Sequence, residues 1–212
     1  MKYLGFALSF ALLLSSCLST PEGYVSRSGA DINPHVHTDL NYPEQVGYFY
    51  RRGAWEREDD QYHLRVTYGY RHETKTPEFI TVETSRLTPM RTLQAKQHHF
   101  VHMHPDAIQS LSAARAAQRH FPGWNITVFD YQQDVPQFPK DQRYQPLRTL
   151  MATKTFHGRT ALIEATCLYD SWSAGFLFDA SQFANCIFPH ASSWEGYSER
   201  SYIHEHRQGP GK

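Results

Sequence analysis

Between Tyr62 and Tyr70 the chain alternates strictly. Tyr62, Leu64, Val66, Tyr68 and Tyr70 point one way, and His63, Arg65, Thr67 and Gly69 the other. A period of two puts one set of side chains in a core and the other toward water. A run of this kind predicts an antiparallel sheet with one wet face. Neighbouring segments fit the same sheet. Gly47 to Trp55, with Tyr48, Phe49 and Tyr50, reads as a strand, and the charged run Glu56 to Gln61 as the turn after it. Phe79 to Glu83 follows a turn through Thr76-Pro77, and Trp124 to Tyr131 is strand-like. Leu147 to Phe156 and Arg159 to Tyr169 flank His157-Gly158, a tight hairpin. Trp172 to Phe178 is read as one more strand, and Gln132 to Pro146 as a polar loop. Tyr and Phe, 13 each, favour strands over helices.

One helix is expected, from Pro105 to His120. Pro105 suits its first position, Asp106 its positive end, and Phe121-Pro122-Gly123 stops it. The expected class is α+β: an antiparallel sheet of meander and hairpins, with one main helix packed on one face.

The N-terminus carries a different signal. Met1-Lys2-Tyr3 is followed by an apolar run from Leu4 to Leu14. That run is too short to span a bilayer, which needs about 20 apolar residues, and reads as an export signal. Leu14-Ser15-Ser16-Cys17 resembles a lipobox, the motif that bacterial lipoprotein signals carry before their modified cysteine. The resemblance implies cleavage before Cys17 and acyl chains on that residue; two chains make membrane attachment stable where one does not. It implies a cell-envelope location, anchored by lipid, and Leu18 after the cysteine resembles the outer-membrane sorting class of Gram-negative cells. The expected organisation is a signal peptide over 1–16, a lipidated cysteine and flexible tether over 17–41, one α+β domain over 42–206 and a frayed tail over 207–212.

Basic and acidic residues balance at 21 each, so nothing in the charge steers the chain to nucleic acid. Beyond Cys17 only Cys167 and Cys186 remain. In an oxidising compartment such a pair is expected to be bridged. The closed loop of about 20 residues would contribute roughly 3 kcal/mol.

Histidine, at 13, is the compositional anomaly. Three His-x-His pairs occur: His35/His37, His102/His104 and His204/His206. If the stretch from His98 to Asp106 is extended, His98, His102 and His104 share a face and Asp106 lies just beyond it. Two or three imidazoles with a carboxylate or water are a common zinc set, and an open position could activate water for hydrolysis. His35-x-His37-x-Asp39 repeats the pattern within the expected tether. Ser171-Trp172-Ser173-Ala174-Gly175 departs from the nucleophile-elbow pattern at its first glycine. Zinc-protease and nucleotide-binding signatures are absent.

The leading expectation is a non-catalytic envelope module that binds a protein, glycan or small ligand near the membrane. The second is a metal-binding protein or metal-dependent hydrolase, with zinc held by His98, His102, His104 and Asp106. A serine hydrolase acting through Ser173 is the third.

Overall fold

The computed structural model describes residues 20, 22–70, 78–136 and 138–188. The lipobox, Cys17, the His204/His206 pair and the expected tail lie outside the described residues.

The alternating segments form the predicted antiparallel sheet. Its strands are β1 (Tyr24–Ser26), β2 (Gln45–Val46), β3 (Phe49–Arg57), β4 (Asp60–Tyr70), β5 (Phe79–Ser85), β6 (Ile108–Gln109), β7 (Asn125–Asp134), β8 (Tyr144–Phe156) and β9 (Arg159–Leu168). The order is β1-β3-β4-β5-β9-β8-β7-β6, with β2 also paired to β3. β8 and β9 are joined by His157 (φ 47°) and Gly158 (φ 72°), with Phe156 opposite Arg159. Two successive positive φ values match the strand twist in a two-residue hairpin.

Among the described residues three α-helices pack on this sheet, not one, and they cover both faces. α1 is Pro89–Met103, α2 is Leu111–Gln118 and α3 is Ala174–Ile187. The helix expected from Pro105 to His120 is realised only as α2, Leu111–Gln118; the residues before it form a turn and the short strand β6, and α1 ends at Met103, ahead of the expected start. α1 starts where Thr88 caps it, accepting from Arg91 N–H, with Pro89 in its first turn. Only Thr92, Leu93 and Phe100 of α1 are buried, a stripe too narrow to announce itself among polar residues. The segment expected as a strand from Trp172 lies largely in α3. Its buried Phe176, Leu177, Ala180, Phe183, Ala184 and Ile187 follow a helical period.

One sheet face carries the larger core. Leu64, Val66 and Tyr68 of β4, Ile80 and Val82 of β5, Ile163 of β9 and Leu150 of β8 meet Ala117 of α2 and Phe183 of α3. Phe183 is fully buried and stands edge-on to Tyr68, ring centroids 4.8 Å apart. The opposite face carries α1, whose Leu93 and Phe100 pack with Phe129, Tyr131, Leu147, Met151 and Leu162.

The packed chain begins well before Tyr42. β1 pairs with β3, and Ile32, Leu40 and Tyr42 are buried in the larger core. Much of the expected tether is thus a strap over the sheet, held by isolated apolar residues with no regular period. Cys167 lies buried on β9 and Cys186 is exposed on α3, and both are free thiols.

Candidate functional site

The strap and the strands close a cavity at one end of the sheet. β5 ends there at Ser85, opposite Thr160 of β9. The strap turns over this end through His35, whose backbone N–H donates to Leu40 O and whose carbonyl accepts from Asp39 N–H. Arg159 Nη1 then donates to His37 O at 3.2 Å, tying β9 to the strap. The Arg159 guanidinium lies 3.9 Å above the Tyr62 ring, and Arg86 approaches the same ring at 4.6 Å. Cation–π contact orients Arg159 without neutralising it.

The cavity is partly open, with a volume of about 100 Å3. Its polar wall comes from His37, Thr38, Asp39, Thr84, His157, Arg159 and Thr160, and its apolar wall includes Leu40, Phe156 and Phe188. Asp39 (φ 55°) and His157 (φ 47°), the two non-glycine residues with positive φ among those described, both line it. The hairpin turn sets this backbone at His157, and Asp is among the residues that tolerate it at Asp39. The fully buried Tyr42 hydroxyl lies beside Thr38 and Thr84, yet neither is aligned to complete a hydrogen bond with it. Burial pushes the Tyr42 phenol far above its ordinary value, so it stays protonated and able to donate.

Thr38 links the cavity to a buried charge cluster. His35 Nδ1 is 2.9 Å from Thr38 Oγ1, and His35 Nε2 is 3.0 Å from Glu56 Oε2. Arg27 Nη2 donates to the other Glu56 oxygen at 2.5 Å. Burial pushes the His35 imidazole below its usual value, outweighing the pull of Glu56. The neutral ring that results donates from Nε2 to Glu56 and accepts at Nδ1 from Thr38. Burial pulls Glu56 upward, but the hydrogen bonds from Arg27 and His35 outweigh it and leave the carboxyl below its ordinary range.

A similar cluster sits on the opposite face. Glu83 accepts from His63 Nε2 at 2.7 Å and from Lys96 Nζ of α1 at 2.6 Å. Burial alone would raise its pKa; the His63 bond and the Lys96 charge overcome this and hold it at about 2. This cluster fastens α1 to the sheet.

The residues proposed for zinc separate. The stretch His98 to Met103 is helical, so the shared strand face does not exist. His98 and His102 are exposed on α1 and line an open groove with Gln94, Gln97, Val101, Gln109 and Phe129. His104 ends the helix, its ring against Phe100 and Tyr131 at centroid distances of 4.7 and 4.4 Å. Asp106 accepts from Gln132 N–H at 2.8 Å. Among the described residues no three His, Cys, Asp or Glu side chains are grouped to hold a metal ion. Ser173 caps α3 by accepting from Phe176 N–H, a structural use of its hydroxyl.

Sequence reasoning noted His37 and Asp39 as a pattern and His157 as a turn, but did not join them, and it passed over Arg159. The segments that meet are separated by more than a hundred residues, and only the register brings them together.

Comparison with family models, with curated proteins and with solved structures finds no match to this chain.

Proposed function

We propose that the chain is a lipid-anchored, non-catalytic binding module of the bacterial envelope, attached through Cys17, that takes a small oxyanion in the sheet-end cavity. A carboxylate or phosphate is the ligand class. The carrying observation is the cavity wall, where one guanidinium and two imidazoles meet in a space of about 100 Å3, while the wall's threonine hydroxyls donate elsewhere: Thr38 to His35, Thr84 to Tyr62 O and Thr160 to Leu87 O. That space corresponds to roughly three waters, room for a small ion or one end group. Charge-assisted bonds from Arg suit a planar or tetrahedral oxyanion. Asp39 is the one carboxylate in the wall, and it is exposed, where water screens it.

Binding is favoured over catalysis by the state of the buried carboxylates. Glu56 and Glu83 are each held ionised by a histidine and a cation. A general acid or base needs a pKa near the working pH, and both lie below the ordinary range.

Thermal unfolding with inorganic phosphate and with acetate tests this reading. At one hundred times Kd, linkage gives about 2.7 kcal/mol, or a rise in Tm of about 5–10 °C for a domain of this size. The rise is expected to vanish in Arg159→Gln and in His157→Ala. No rise with either probe, or equal rises in the variants, overturns the reading.

A further inference from the structure

The helical placement of His98 and His102 has a chemical consequence separate from the cavity. Four residues apart on an α-helix, two side chains lie on one face, roughly one turn above each other. That spacing lets two imidazoles reach one metal ion, as it does wherever histidines at i and i+4 chelate zinc. Both rings are exposed, and both border the groove between α1, β6 and β7. Among the described residues neither ring is engaged in a hydrogen bond or ion pair, in contrast with His35 and His63, nor in a ring contact such as that of His104 with Phe100. Gln94, Gln97 and Gln109 border the same groove, and their amide oxygens are further neutral donors. The adjacent His99 points about 100° away around the helix and does not border the groove.

We propose that His98 and His102 form a two-imidazole site for a divalent transition-metal ion on the exposed face of α1. Imidazole suits copper, nickel and zinc. The site uses half of the residues first suggested from the sequence and leaves out His104 and Asp106, each held elsewhere. Two protein ligands leave the remaining coordination positions to water or to a group brought by a partner. With no rigid cage to impose geometry, affinity should follow the ordinary divalent series, with Cu2+ tightest.

The test is a titration of the untagged protein with Cu2+ and Zn2+, followed by calorimetry and by nitrogen hyperfine structure in the Cu2+ electron paramagnetic resonance spectrum. The wild type should bind one ion that His98→Ala and His102→Ala each weaken by at least about tenfold. His99→Ala should stay within about twofold of wild type, since it leaves both ligands in place. All three positions are exposed, and circular dichroism checks that α1 persists. Absence of binding by the wild type overturns the proposal, as does equal affinity in the His98→Ala/His102→Ala double variant. Loss in His99→Ala as large as in the other two overturns it as well.

Discussion

His63 Nε2 stands 2.7 Å from Oε1 of Glu83, a carboxylate only 3% exposed. On the other face of the same sheet His35 Nε2 stands 3.0 Å from Glu56 Oε2, and Glu56 is also buried. Each carboxylate has a further cation: Lys96 of α1 for Glu83, and Arg27 of the strap for Glu56. The sheet thus holds a covering segment on each face by a buried carboxylate. Breaking such a pair on one side leaves an uncompensated charge, which is costly.

For Glu83 the sign and size follow from its depressed pKa. A carboxyl held at about 2, against an ordinary 4.5, stabilises the fold fully above the unfolded value. That contribution is lost as pH falls from about 4.5 through about 2, and amounts to about 3 kcal/mol. Glu83→Gln should therefore lose about 3 kcal/mol at pH 7 in urea unfolding and show a flatter stability curve between pH 5 and 2. A variant as stable as wild type at pH 7 would contradict this role.

His35 and His104 predict an earlier acid response. Burial lowers both imidazoles, so each favours the neutral form when folded. Their stabilisation is complete above the unfolded value near 6.5 and declines as pH falls below it. His104→Phe preserves a ring against Phe100 and Tyr131, and His35→Gln preserves a donor to Glu56. The double variant should lose less stability than wild type between pH 7.5 and 5.5. Parallel curves for the two proteins would count against the assignment.

The three cysteines give a compact readout. If Cys17 is lipidated as proposed, one thiol is removed, leaving Cys167 and Cys186. Cys186 is exposed, whereas burial pushes the Cys167 thiol up to about 12. Protein extracted from membranes should label once when native and twice in denaturant. Three labels in denaturant would refute lipidation of Cys17. None would mean that Cys167 and Cys186 are joined, as the export signal led us to expect.

How much was legible depended on period. The alternation at Tyr62–Tyr70 and the His157-Gly158 hairpin were readable because each is set locally, by the pleat and by turn geometry. α1 was hidden because its buried stripe is only Thr92, Leu93 and Phe100, among exposed His and Gln. Reading His98 to Asp106 as extended then placed three imidazoles on a face that the helix does not have. At the start of α3 the apolar run from Trp172 to Phe178 is too short to separate a strand from a helix. Ile32, Leu40 and Tyr42 were passed over because single apolar residues in a polar stretch carry no period, although all three are buried. The cavity had no local signature. Thr38, Thr84 and Arg159 meet only through the strap and the β5–β9 pairing.

The most direct test of the account is a phosphate titration followed by the histidine ring resonances in nuclear magnetic resonance. Binding in the sheet-end cavity should give saturable shifts at His37 and His157, with His98 and His102 unmoved and the response lost in Arg159→Gln. Unchanged rings at His37 and His157, or equal small drifts at every histidine, would contradict an oxyanion site at this end of the sheet.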